Sequence, residues 1–176
     1  VAANYESTAS ADILREGRKR ARLSPSHSAG EALPEVEAAL SEPGNQATKA
    51  AIAAMAHSCC KHSRFRVGAC LQSAAGRLYT GINVESDTYG LTVCAERVAL
   101  FKALSEGERH FEKLICATSD GSISCGACRQ LLAEYCAPTM PTIFVDTKGM
   151  VVRATTVGAM LPDPFVLTPS APVKAS

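Results

Sequence analysis

The chain has 176 residues, 47% of them apolar, and a formal net charge of +1. That is enough for one compact domain with an ample core, and the near-neutral balance argues against affinity built on many phosphate contacts. Five Phe, four Tyr and no Trp leave little material for a base-stacking platform. No apolar run approaches the roughly 18–20 residues of a membrane span, nor is there a secretory signal pattern, so a cytoplasmic protein is the expectation.

Residues 1–45 read as an N-terminal extension rich in Ala, Ser, Glu and Pro. Its basic run REGRKRAR (Arg15 to Arg22) fits a solvated helix face or mobile tail better than a nuclear address or an RNA contact. The segment ALPEVEAALSEPGN leans helical and stops at Pro43-Gly44-Asn45. A single domain then spans 46–168, with 169–176 as a C-terminal tail.

Within that domain the periodicity is regular. Ile52, Met55 and Cys59 predict a helix over Ala47 to Cys59. Alternation predicts a strand over Phe65 to Leu71, and another over Leu78 to Glu85 after a turn at Ala75-Gly76. Asn83 and Glu85 share one face at the exit of that second strand. Cys94 to Leu104 reads as a helix, Leu114 to Thr118 as a short buried strand, and Cys125 to Cys136 as a helix. Thr142 to Val145 and Val151 to Arg153 are strands joined by the turn Asp146-Thr147-Lys148-Gly149. Strands alternating with helices imply a layered α/β domain with a mixed sheet.

Eight cysteines punctuate the chain, at 59, 60, 70, 94, 116, 125, 128 and 136. With a full-sized core and no secretion signal, reduced thiols are the default. Cys70 and Cys116, inside apolar strand runs, read as inert core residues. Cys125 and Cys128, in SCGACRQLL, open a helix, and Cys94, in CAERVAL, opens another. A lone Cys-x-x-Cys is ambiguous between a metal and a redox site. Three cysteines at helix N-termini are favoured as thiolates by the helix dipole, and three thiolates suit zinc. A closed structural site needs four protein ligands, whereas a catalytic one has three plus water. Cys136, His110 or Cys116 could complete a closed site only if folding brought one of them close. Glu96, two residues after Cys94, can reach a zinc-bound water without binding the metal and move its proton.

Ligand-x-Glu followed by Cys-x-x-Cys is the zinc deaminase signature. The chain resembles the small cytidine deaminases that act on free nucleosides, over roughly residues 46–168. The resemblance rests on SRFRVGACL (63–71), GINVESDTYGLTVCAER (81–97), SCGACRQLL (124–132) and MLPDPF (160–165). It implies a three-layer α/β/α sandwich with a central mixed five-stranded sheet. It also implies Cys94, Cys125 and Cys128 as ligands of Zn2+ and Glu96 as the group that carries a proton from water to the pyrimidine N3 and then to the departing amine. Cytidine or deoxycytidine would become uridine or deoxyuridine, with release of ammonia.

By the same resemblance Asn83 and Glu85 match residues that bind the ribose hydroxyls, Phe65 the aromatic near the base, and the backbone at Ala95 a contact to the pyrimidine edge. Phe165 matches a residue that reaches into a neighbouring subunit's site, and Tyr89 one at a subunit boundary, which implies a homotetramer with shared active sites. Arg97 matches an arginine that hydrogen-bonds the ligand sulfurs and withdraws charge from them. The chain departs from the family pattern at Ser124, where proline is usual before the paired cysteines, at Cys59 to His62, and at Ser86 to Thr88.

A deaminase of single-stranded nucleic acid would share the metal site, but its pocket would carry more positive charge, and Glu85 would repel a phosphate near the ribose. A deaminase of a blasticidin S-like nucleoside has similar motifs. A non-catalytic zinc module would need a fourth ligand and be indifferent to Glu96.

Overall fold

The computed structural model describes residues 46–167. The basic run Arg15 to Arg22, the helical stretch before Asn45 and the tail 169–176 lie outside the described residues. In chain order the elements are α1 (Gln46–Ala54), which tightens into a 3-10 turn (Met55–His57), then β1 (Gly68–Ser73) and β2 (Leu78–Ile82). A short 3-10 turn (Tyr89–Leu91) leads to α2 (Ala95–Ser105), β3 (Phe111–Ala117), α3 (Gly126–Tyr135), β4 (Pro141–Val145), β5 (Val151–Thr156) and α4 (Val157–Met160).

The strands form one five-stranded sheet in the order β2-β1-β3-β4-β5. β1 runs antiparallel to both β2 and β3, β3 is parallel to β4, and β4 is antiparallel to β5. The sheet is mixed, as expected. Strand alternation divides its side chains between two cores. Ala69, Leu71, Leu114, Cys116 and Phe144 pack with Ala95, Ala99 and Leu100 of α2 and Leu132 of α3. Cys70, Ile115, Ala117, Ile143 and Val145 pack with Ala47, Ala51 and Met55 on the other face. The result is the three-layer sandwich. Each fully buried leucine in it contributes about 1.5–3 kcal/mol.

Two connections decide where the chemistry can sit. Because β1 opposes both of its neighbours, β2 and β3 point the same way, and so do β3 and β4. Parallel strands require a crossover, here α2 between β2 and β3 and α3 between β3 and β4. Both helices therefore start at the same edge of the sheet, outside the carboxyl ends of the strands they follow, and both lie on the same face.

The helices sit close because two glycines allow it. A Cβ at Gly68 would stand 2.0 Å from the Ala51 carbonyl oxygen, so β1 rests directly on α1. A Cβ at Gly81 would stand 2.2 Å from the Ala95 oxygen and 2.5 Å from the Ala99 nitrogen. β2 thus sets the height of the first turn of α2.

Several boundaries differ from the periodicity, each for a visible reason. The strand predicted from Phe65 begins its ladder only at Gly68, because the Asn83 side chain takes over the bonding of Phe65 and Val67. Its Oδ1 accepts from the Val67 N–H at 3.0 Å, and its Nδ2 donates to the Phe65 carbonyl at 2.8 Å. β2 ends at Ile82, beyond which Val84 forms isolated bridges to Cys59 and Val93. The first helix stops short of Cys59, where Arg66 donates to the carbonyls of Met55 and Ala56 at 3.2 and 3.0 Å. The four-residue α4 carries no periodic signal and is capped by Thr156, whose Oγ1 accepts from Ala159 N–H at 3.2 Å. The turn at 146–149 is as expected, with Gly149 at φ 81°.

Gly81→Ala is expected to destabilise the domain by about 3 kcal/mol, at the upper end for overpacking, because it pushes on helix backbone. Urea denaturation of the two proteins checks this; a loss of under about 1 kcal/mol would show that α2 can move freely.

Candidate active site

Cys94 and Cys125 are the N-cap residues of α2 and α3, with extended backbones at φ −75°, ψ 157° and φ −70°, ψ 165°. An N-cap side chain usually accepts a backbone N–H of its own helix, yet neither thiol does so. Both point instead at the same place, where buried Cys128 joins them from the first turn of α3. The Cys94 and Cys125 sulfurs are 3.8 Å apart, those of Cys125 and Cys128 3.5 Å, and all three lie within 4.8 Å of one another. A tetrahedral ion with bonds to sulfur of about 2.3 Å needs sulfurs about 3.8 Å apart. The cluster fits a zinc ion.

Its electrostatics favour negative charge. The neighbouring Cys128 thiol first, and Arg97 after it, lower the Cys94 pKa to about 6 against the opposing effect of burial. Cys128 is pushed upward by its interaction with Cys94 first and by burial second. Burial, the largest effect on Arg97, works against its charge, but the bond to Cys94 and the charges of the cluster outweigh it and raise its pKa. One Arg97 terminal nitrogen donates to Cys94 Sγ at 3.7 Å and to the Thr92 carbonyl at 3.0 Å, while its buried Nε has no partner.

Glu96 is 5% exposed in the first turn of α2. With Cys94 and Cys125 it lines a cavity of about 270 Å³, whose walls also carry Phe65, Asn83, Glu85 and Cys116. Of the two cysteines expected to be inert, one needs adjusting here. Cys70 is inert core, its thiol pushed up to about 11 by burial. Cys116 is buried as expected but is not a bystander. It faces Glu96, and burial first and that carboxylate second push its thiol well above the usual range. Among the described residues neither Cys116, Cys136 nor His110 joins the metal-ligand group, which consists of three cysteines. Cys136 instead caps the C-terminal end of α3.

Asn83 and Glu85 do share a face at the exit of β2, and both are held. Asn83, 8% exposed, also accepts from the Ser58 hydroxyl. Glu85 Oε2 accepts the N–H groups of His62 and Ser63 at 2.7 and 3.1 Å, and Oε1 accepts the Ser63 hydroxyl. One amide hydrogen of Asn83 and one lone-pair direction of Glu85 Oε1 stay free for a ligand. Ala95 is fully buried beside Glu96.

Two expected site residues lie elsewhere in the chain. Tyr89 and Phe165 do not line the cavity, and they are 75% and 69% exposed. Phe165 is nonetheless fixed in place, since its N–H and carbonyl pair with the Gln130 side chain of α3 at 3.0 and 2.7 Å. The sequence reading missed Ser63, Thr92, Thr118 and Ser122 as lining residues. Thr118 and Ser122 are organised by Asp120, whose Oδ1 accepts both hydroxyls, at 3.1 and 2.6 Å. The signal that could have found them is Thr-x-Asp-Gly-Ser directly after a buried strand.

The pKa of Glu85 is lowered, by the Ser63 hydroxyl first and by the Ser63 and His62 N–H groups after it. The loop contacts of Glu85 are thus fully present above the ordinary carboxylate pKa of about 4.3 and are lost as pH falls through the lower folded value. Ser63→Ala is expected to move the Glu85 titration upward, so that acid releases the loop at a higher pH. Carboxyl-carbon NMR titration checks this, and an unmoved Glu85 titration would remove Ser63 from the account.

Residues 41–144, more than half of the chain, match the family described as the cytidine and deoxycytidylate deaminase zinc-binding region. A cytidine deaminase of Sporosarcina psychrophila is 45% identical over 106 residues, covering 59% of this chain and 77% of the relative. A cytidine deaminase of Halalkalibacterium halodurans is 42% identical over 106 residues, covering 59% and 80%. A crystal structure of cytidine deaminase from Burkholderia pseudomallei superposes with a TM-score of 0.67 at 38% identity, covering 70% of this chain and all of that one. With this fold and this cluster of cysteines beside a buried glutamate, the chain belongs to the cytidine and deoxycytidylate deaminase family.

Proposed function

We infer that this chain is a zinc-dependent cytidine deaminase, converting cytidine or deoxycytidine with water to uridine or deoxyuridine and ammonia. The observation that carries the reading is Glu96, a buried carboxylate in one cavity with two cysteines of a three-sulfur cluster that fits zinc.

Cys94, Cys125 and Cys128 would hold the ion. Zinc bound there supplies Lewis-acid activation of water near neutral pH. Glu96 takes one proton from the attacking water and delivers it to the pyrimidine N3, then takes the second from the hydroxyl added at C4 and passes it to the departing amine, leaving the carbonyl of the product. Its position in a largely apolar pocket strengthens each of those hydrogen bonds. Arg97 donates to Cys94 and drains charge from a set of three thiolates that would otherwise over-compensate a divalent ion.

Phe65 lies against the base, and the backbone at Ala95 meets the pyrimidine edge. Asn83 donates its free amide hydrogen to a ribose hydroxyl, and Glu85 accepts from another. A carboxylate there disfavours a phosphate on the nearest sugar oxygen, which supports a nucleoside over a nucleic acid strand.

The exposed apolar side chains support a homotetramer with shared sites. Tyr89 and Leu91 in one turn, and Phe165, Val166 and Leu167 in one strap, are each between 68% and 78% exposed. That degree of exposure over neighbouring residues is the mark of a surface that another subunit covers. No helix among the described residues is long and apolar enough to cross a membrane.

The test compares the zinc-loaded protein, which should sediment as a tetramer, with Glu96→Gln. The native protein is expected to turn over cytidine, and Glu96→Gln to keep its zinc while losing at least about 100-fold in kcat, as removal of a general acid–base does. Equal activity in the two would remove Glu96 from its role. Zinc binding without cytidine turnover would turn attention to other aminopyrimidines, a blasticidin S-like nucleoside or single-stranded nucleic acid among them.

A further inference from the structure

β3 is the central strand of the sheet, and Cys116 stands near its carboxyl end, opposite Ala69 of β1 and Phe144 of β4. Ladders on both sides fix its backbone, so the sheet sets where this side chain stands. Alternation turns Cys116, with Leu114, towards α2, where it belongs to one buried cluster with Ala95 and Ala99. Both helix residues are alanines, so nothing long separates the strand from the first turn of α2, which carries Glu96. Cys116 is 2% exposed and Glu96 5%, yet both line the active-site cavity together with Cys94.

The Cys116 thiol has no place in the three-sulfur group. It interacts with the Glu96 carboxylate through charge and through a side-chain hydrogen bond. Burial first, and that carboxylate after it, hold the thiol well above its usual range, so it keeps its proton. A thiol facing an ionised carboxylate can only donate, because the carboxylate has nothing to give. The bond therefore runs from sulfur to oxygen.

Glutamate is among the side chains with the most rotamer freedom to lose. A general acid–base must nevertheless keep one oxygen within hydrogen-bond reach of each atom it serves in turn. We propose that Cys116 is a positioning residue for Glu96, its S–H donating to one carboxylate oxygen and leaving the other turned to the substrate. A cation in its place would form an ion pair and compete with the proton that Glu96 has to carry. A thiol is a weak donor, and it restrains the carboxylate without neutralising it. The role rests on the reading of Glu96 as the proton carrier.

Steady-state kinetics with cytidine, on the zinc-loaded native protein and on Cys116→Ala, Cys116→Val and Cys116→Ser, test it beside infrared spectra of the S–H stretch. Cys116→Ala and Cys116→Val keep an apolar filling but no donor. They are expected to lose about fivefold or more in kcat, the worth of one such hydrogen bond, with KM and zinc content unchanged. Cys116→Ser keeps a donor of nearly the same size and is expected to restore most of the rate. The S–H band of Cys116, isolated by subtracting the spectrum of Cys116→Ala, is expected to move to higher frequency when Glu96→Gln is introduced in both proteins, since the amide oxygen is the weaker acceptor. Native kcat in Cys116→Ala and Cys116→Val, a loss that Cys116→Ser shares, a change confined to KM, or a band indifferent to Glu96→Gln would each overturn the proposal. Turnover by the native protein with any of those results sinks only the role of Cys116. A native protein without cytidine turnover sinks the assigned reaction, and the infrared band then decides whether the thiol holds Glu96.

Discussion

Two helices that begin at the same edge of one sheet hold the rest of this structure to account. α2 and α3 each carry a cysteine at the N-cap, and the parallel relation of β2, β3 and β4 leaves them no other place to start. Three sulfurs brought within 4.8 Å repel one another once ionised, and two helix dipoles together with Arg97 offset that repulsion. The geometry is enforced from beneath by Gly81, whose missing side chain lets β2 press on the first turn of α2. Glu96 is in that same turn. Its distance from the cluster is therefore a property of the sheet, not of a loop.

The other wall of the cavity depends on two polar side chains that act in both directions. Asn83 substitutes for a strand residue by bonding Phe65 and Val67, and Glu85 gathers the N–H groups of His62 and Ser63. Each holds the segment 58–67 in place and keeps one hydrogen-bonding direction free for a ligand. Substitution at either position will mix a binding effect with a folding effect.

The cysteine cluster, Glu96 and the sheet were legible in the sequence because each leaves a spacing. A ligand two residues before a glutamate, and a pair three residues apart at a helix start, are local patterns fixed by helix geometry. Cys116 was legible as buried but not as a neighbour of Glu96. Which face of a fully buried strand meets which helix depends on the order of strands in the sheet, and an apolar run carries no trace of it. The role of Ser63 was hidden for a similar reason, since its partner Glu85 lies 22 residues away. The positive φ of Arg64 leaves no mark in composition, because glycine is the usual occupant there. The strand start at Phe65 was overrun because the Asn83 side-chain amide, not a ladder, continues the bonding there, and the end at Glu85 because isolated backbone bridges at Val84 replace the ladder.

Zinc K-edge absorption spectroscopy of the metal-loaded chain bears most directly on the central claim, that the cluster is an open three-thiolate site serving a buried carboxylate. The account predicts three sulfur neighbours at about 2.3 Å and one oxygen at about 2.0–2.2 Å. Four sulfurs at the longer distance would mean that a further cysteine closes the site, and would contradict it.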